Sequence, residues 1–261
     1  MSLQSLFSRF LALSSFLPFA SQSSPVEQGN YRRILAVGDI HGSFLGFCRI
    51  WEDIGFRPDE DLLIFLGDYI DRGRQSWPMM EWVMNHRGEK GILFLRGNHE
   101  QMMWHAFRGK DGQEKACAMW LENGGLSTIA SLRSANANGE INRWLDFIEQ
   151  MPLWHEVRQD GREFVFCHAG INPRQPMDKQ SADTLLWDRS FVQRATYRGR
   201  KTVIVGHTPV QFSKALDYED AIHPLFLSDG HIIMADTGSY LSNGHVSCVN
   251  VLDGTVFESN R

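Results

Sequence analysis

The chain has 261 residues, enough to bury a full core as one domain, and no internal repeat or low-complexity linker divides it. Its 26 Lys and Arg against 31 Asp and Glu leave a net charge of −5. With no basic cluster interleaved with aromatics, this balance excludes the phosphate-neutralising surface that non-specific nucleic-acid binding needs.

The first 30 residues read as a leader, loosely structured or forming a short docking helix, ahead of a catalytic domain over 31–261. The apolar run Phe10 to Ala20 resembles a signal core, but it has one basic residue before it and no clear small-x-small cleavage site. It is too short to span a bilayer, so a cytoplasmic protein without stable membrane insertion is expected. Cys48, Cys117, Cys167 and Cys248 agree with that expectation. They stand apart, without a Cys-x-x-Cys pair, and read as thiols of a reducing compartment.

Six apolar runs follow: Ile34–Val37, Leu62–Leu66, Ile92–Leu95, Phe164–Cys167, Val203–Val205 and Ile232–Ala235. Short, β-branched or aromatic, and bounded by glycine or polar residues, they predict strands covered on both faces. Between the third and fourth, residues 101–159 carry no strand-like run and predict a helical insert. Its helices are expected over 113–121, 126–132 and 141–150, with Ile141, Trp144, Leu145 and Ile148 at helical spacing. Asn123-Gly124-Gly125 and Asn138-Gly139 mark its turns.

Polar motifs close five of these runs. They are Gly38-Asp39-Ile40-His41-Gly42, Gly67-Asp68-Tyr69-Ile70-Asp71-Arg72-Gly73, Gly97-Asn98-His99-Glu100, His168-Ala169-Gly170 and Gly206-His207-Thr208; the sixth run ends in Asp236-Thr237-Gly238. In sheets layered with helices, ligand sites gather beyond the carboxyl ends of strands, so these distant residues are expected to share one site. Singly, each motif reads as a turn or a helix cap. In series they supply Asp, His, Asp, Asn, His and His, a donor set suited to two divalent metals.

If Asp39, His41 and Asp68 hold one ion, and Asp68, Asn98, His168 and His207 the other, the Asp68 carboxylate bridges them. Two ions about 3.5 to 4 Å apart can acidify a bridging water and clamp the oxygens of an in-line displacement, which makes a phosphate ester the natural substrate. Arg72, inside the second motif, is placed to clamp phosphate with its planar fork, and Arg189 is a second candidate. His99 can protonate the leaving group, with Asp71 accepting from its imidazole. Tyr240 is expected to pack behind the strand end or to line the cleft.

Gly-Asp-x-His-Gly, Gly-Asp-x-x-Asp-Arg-Gly and Gly-Asn-His-Glu, in this order, resemble the metallophosphoesterases. The likeness is strongest to the small bacterial and phage members of the phosphoprotein phosphatase branch, and it runs from Ile34 to near the end of the chain. The resemblance implies a single α/β domain of two packed mixed β-sheets flanked by helices. It implies metal binding by Asp39, His41, Asp68, Asn98, His168 and His207, and two divalent ions, manganese foremost with iron and zinc as alternatives. It places Asp71 and His99 as the acid pair, and Arg72, Arg189 and Asn98 at the substrate. Arg189 follows Leu185-Leu186-Trp187-Asp188, similar to the Trp-x-Arg of the small members.

The resulting expectation is hydrolysis of phosphoserine and phosphothreonine, with phosphotyrosine also admitted, on a phosphoprotein partner by direct attack of a metal-bridging hydroxide. The alternative is a dinucleoside polyphosphate hydrolase or another small-molecule phosphoesterase. A silent binding module is disfavoured by the intact metal, arginine and acid positions.

Overall fold

The computed structural model describes residues 26–109, 112–193, 197–213 and 221–259. The leader expectation for residues 1–25 lies outside them. At its inner end the leader boundary is corrected: β1 (Glu27–Gln28) already pairs in parallel with β5 (Trp154–Gln159). The six-stranded sheet therefore already includes residues 27 and 28.

All six apolar runs are strands: β2 (Arg33–Val37), β3 (Asp61–Phe65), β4 (Ile92–Phe94), β6 (Arg162–Cys167), β7 (Thr202–Val205) and β9 (Ile232–Met234). With β8 (Leu225–Leu227), β10 (Ser247–Asn250) and β11 (Val256–Glu258), they form two mixed sheets. One has the order β1-β5-β6-β7-β9-β8 and the other β11-β10-β2-β3-β4. Within them, β2-β3-β4 and β6-β7-β9 run parallel, which sends their carboxyl ends, and the motifs that follow, to one edge.

Period-two alternation explains why these runs read as apolar throughout. Ile34, Ala36, Leu62 and Ile64 face inward and meet Phe164, Phe166, Ile204 and Ile233 of the other sheet. Their neighbours Leu35, Val37, Leu63 and Phe65 point outward into a helix-covered core, while Val165, Val203 and Ile232 do so on the far side. Every position is buried against something, as in sheets covered on both faces.

The helices follow the same logic. In α1 (Phe44–Ile54), Phe47, Ile50 and Ile54 form the buried stripe, and the helix stops at Gly55 in a left-handed conformation, φ 51°. Next come α2 (Ser76–His86) and α3 (Asn98–Arg108). The insert supplies α4 (Gln113–Trp120), α5 (Leu126–Ser134) and α6 (Ile141–Gln150), close to the expected bounds, with Ile141, Trp144, Leu145 and Ile148 buried.

Two expectations for the insert need correction. Asn123-Gly124-Gly125 is not an open turn but part of a kinked π-helical turn, Leu121–Gly125, with Gly124 at φ 109°. The insert also stops short of residue 159, because Trp154–Gln159 is a strand antiparallel to β6. Its polar side chains hid it: His155, Glu156 and Gln159 are buried yet partnered, by Glu27, Lys201 and the Tyr31 backbone respectively. Among the described residues, no helix is long and apolar enough to cross a membrane.

Candidate active site

The turns that carry the motifs are tightly wound. His41, Asp68, Asp71, Arg72 and His207 all adopt positive φ, between 45° and 71°, a region that disfavours side chains other than glycine. Such conformations persist only where surrounding contacts over-determine them, and they cluster at functional sites. Gly67, at φ 108°, allows the second and third motifs to touch: a Cβ there would sit 2.5 Å from the Gly97 nitrogen and Cα.

Glu100 then locks the two turns together. Its carboxylate accepts from the backbone N–H groups of Asp68 (2.8 Å), Tyr69 (2.9 Å) and Gly97 (3.0 Å). Burial, with repulsion from Asp68, pushes its pKa up to about 7. Glu100 lies in a motif, but residue type alone assigned it no role.

Asp39, His41, Asp68, Asn98, His168 and His207, contributed by five strand ends, converge in a buried cluster. The Asp68 Oδ2 atom is central. It lies 3.5 Å from His41 Nε2, 3.5 Å from His168 Nε2 and 3.8 Å from His99 Nε2. Asp68 thus belongs to two groups of donors that could each hold a cation, one with His41 and His99 and one with His168 and His207. Asp39 joins through its Oδ2, 3.9 Å from His41 Nε2, and accepts the His207 backbone N–H at 3.1 Å.

The donor chemistry fits divalent ions. His41 Nδ1 and His168 Nδ1 face the carbonyls of Ile70 (3.0 Å) and Leu66 (2.9 Å), which places the ring proton there and turns each Nε2 lone pair inward. Burial drives the pKa of His41 and His207 well below the usual imidazole range, so both are neutral, the form that binds metal. Asn98 Oδ1 is approached by His168 Nε2 (2.8 Å) and His207 Nδ1 (3.0 Å), a gathering of inward lone pairs that a shared cation would satisfy.

Carboxyl groups are crowded together here, and Asp39 and Asp236 resist ionisation without a cation to offset it. Burial, then repulsion from Asp236 and Asp68, raises Asp39 well above the ordinary carboxylate range. Asp236, at the end of β9, is likewise raised to about 6 by burial. It is fixed by the Gly238 N–H at 2.8 Å. Asp236 occupies a strand-end position like the others and, with Glu100, is a motif carboxylate to which residue type alone assigns no role.

Beside this cluster lies the acid pair. His99 Nδ1 donates to Asp71 Oδ2 at 2.8 Å, with both side chains buried. Burial pushes His99 toward the neutral form, but the charge of Asp68 and the bond to Asp71 outweigh it, so its pKa is raised. Asp71 is itself held by the indole N–H of Trp120 (2.9 Å) and the hydroxyl of Thr128 (2.6 Å), both from the insert. Neither residue was identifiable in the sequence, since an ordinary core tryptophan and helix threonine become functional only through tertiary contact.

Thr128→Val keeps the shape and removes the hydroxyl that donates to the Asp71 carboxylate, a bond to a charged group worth roughly 1.5–3 kcal/mol, and that also accepts the Asp71 N–H at 3.0 Å, which keeps Ser76 Oγ as its other acceptor. We expect roughly a tenfold loss of kcat, the low end for residues that support an active centre, and an alkaline limb of the pH–rate profile moved to higher pH, because a carboxylate with one donor fewer holds the imidazolium more strongly. The profile measured beside wild type checks this.

Arg72 reaches the cluster, with its guanidinium 3.1 Å from His41 Nε2 and 4.1 Å over the Tyr240 ring. Tyr240 also meets His41 edge-on at 5.1 Å, so it both packs and borders the site. Arg189 is brought alongside, donating to the His207 carbonyl (3.0 Å) and the Thr208 hydroxyl (3.2 Å). A groove of about 470 Å³, lined by Met102, His105, Met119, Leu186 and Trp187 among others, opens next to Trp187, whose ring stands 6.2 Å from that of His207.

A buried metal-competent cluster at the strand ends of two packed mixed sheets defines a metallophosphoesterase architecture. Residues 32–240 match the calcineurin-like phosphoesterase family, and the chain belongs to it, on the phosphoprotein phosphatase side. Serine/threonine-protein phosphatase 2 of Salmonella typhimurium is 30% identical over 221 residues, covering 81% of this chain and 90% of that protein. An asymmetrical bis(5'-nucleosyl)-tetraphosphatase of Bacillus cereus is 29% identical over 231 residues, covering 78% and 84%. Among solved structures, a cold-active protein-tyrosine phosphatase of a psychrophilic Shewanella superposes with a TM-score of 0.57 at 16% identity, covering 91% of this chain and 83% of that one. That last likeness concerns the fold.

Proposed function

We propose that this protein is a metal-dependent phosphomonoesterase acting on phosphoserine and phosphothreonine in proteins. The observation that carries the chemistry is the single carboxylate oxygen of Asp68 facing His41, His168 and His99, with a neutral or lone-pair-bearing ligand on each side and a proton donor beside it. Asp39, His41 and Asp68 would hold one ion and Asp68, Asn98, His168 and His207 the other. When bound, two divalent ions, of which manganese is our first choice, supply an acidified water and neutralise phosphate charge.

The chain's own residues do the rest. Arg72, braced on the Tyr240 face, and Arg189, tied to the His207 turn, orient the phosphate oxygens. His99 carries a proton on Nε2 toward the leaving alkoxide, and Asp71 holds the imidazolium by its Nδ1–H. Turning His41 and His168 by backbone carbonyls keeps the ligands preorganised, so little rearrangement accompanies the reaction.

The phosphoprotein assignment is supported by the 30% identical Salmonella phosphatase. A second reading, hydrolysis of dinucleoside tetraphosphates, is favoured by the Bacillus relative at nearly the same identity and coverage. A manganese-supplemented panel separates them, comparing phosphoserine, phosphothreonine and phosphotyrosine peptides with diadenosine tetraphosphate. We expect the highest kcat/KM on phosphoserine or phosphothreonine peptides; turnover of the nucleotide alone would remove the phosphoprotein reading.

A further inference from the structure

A second cluster of metal-competent side chains lies apart from the residues placed in the reaction. His223 precedes β8, the last strand of the six-stranded sheet, whereas Glu258 ends β11, the outermost strand of the other sheet. His245 stands just before β10, next to β11. His223 Nδ1 and His245 Nε2 both approach the same atom, Glu258 Oε1, at 2.7 Å and 3.0 Å. The three donor atoms lie within 4.8 Å of one another.

From this convergence we propose that His223, His245 and Glu258 bind a zinc-type divalent ion that clamps the edge strands of the two sheets together. Two imidazoles and a carboxylate are the ligand types zinc takes at about 2.0–2.2 Å, so the donors need only spread slightly around an ion. The Glu258 side chain is fully buried and that of His245 is 3% exposed, while His223 is 59% exposed. That gradient gives the site a closed base and one side open to solvent.

A carboxylate placed in the interior is costly, and an ion shared with two imidazoles would offset its charge. His223 has open solvent available and nonetheless turns inward. The clamp would also stiffen the active-site rim. His245 exchanges backbone bonds with Thr237, through its N–H (3.2 Å) and its carbonyl, which accepts from the Thr237 hydroxyl (2.6 Å). Thr237 leads directly into the turn that carries Tyr240.

The test is zinc content by mass spectrometry after loading and gel filtration, with circular dichroism to verify folding. Wild type is expected to retain one zinc more per chain than His223→Ala, a change at an exposed position. In an Asp68→Asn/His168→Asn chain, one zinc should remain, and adding His223→Ala should remove it. Zinc should also raise Tm in the wild type by more than in His223→Ala. Equal zinc content in wild type and His223→Ala would overturn the proposal and leave the cluster as a hydrogen-bonded triad. Should the double variant not fold, the comparison of wild type with His223→Ala decides alone.

Discussion

Replacing His99 by Asn is expected to lower kcat by ~10²–10⁴-fold, the range for loss of a positioned general acid, while bound metal stays near the wild-type level. The reason is geometric: His99 sits 3.8 Å from Asp68 Oδ2, farther than His41 or His168, and its other nitrogen is committed to Asp71. The pH dependence follows from the direction of its shift. Its folded pKa is raised, so the protonated form persists to higher pH than in a free imidazole, and activity that depends on it falls as pH rises through that folded value. The alkaline limb should therefore be present in wild type and absent from His99→Asn. Metal analysis beside the rate profile checks both parts; loss of the metals along with the rate would make His99 a structural residue instead.

Asp68→Asn is expected to have the larger effect on metal. One carboxylate serves both donor groups, so removing its charge weakens both at once, whereas any other ligand belongs to one. If metal contributes several kcal/mol of charge stabilisation in the transition state, losing roughly 4 kcal/mol corresponds to about a 10³-fold fall in kcat/KM. The backbone should tolerate the change. Asn keeps an oxygen for the His99 N–H that Asp68 accepts at 3.0 Å, and Glu100 still holds the turn by the backbone. Metal content and rate falling together, with an unchanged circular dichroism spectrum, is the expected pattern.

Much of this site could be read from residues because its ligands are short-range products of their strands. Each buried run such as Ile34–Val37 or Val203–Val205 announces itself by being apolar on both faces, and each delivers its motif to the same edge through parallel pairing. What stayed hidden was set by tertiary contact. β5 is polar in sequence because its charged side chains find partners from β1 and from Lys201. β8 and β11, each of three residues at a sheet edge, lack the length for a periodic signal.

The same division runs through the site. The pairing of His99 with Asp71 was legible from motif position, but its support by Trp120 and Thr128 required the insert to fold over it. Arg189 is in a similar position: its chemistry was guessable, yet only its bonds to the His207 turn place it beside the cluster. Outside the motifs, residue type gives the histidines no role: His155 pairs with Glu27, and His223 and His245 gather on the Glu258 carboxylate only through tertiary contact.

Titrating metal-free protein with manganese while following hydrolysis of an aryl phosphate tests the two-metal site directly. Activity should rise with bound metal and reach its plateau only when the Asp68-centred site is filled with two ions per chain. Metal-loaded, folded protein that hydrolyses neither the aryl phosphate nor any phosphopeptide or dinucleoside tetraphosphate would contradict the two-metal reading.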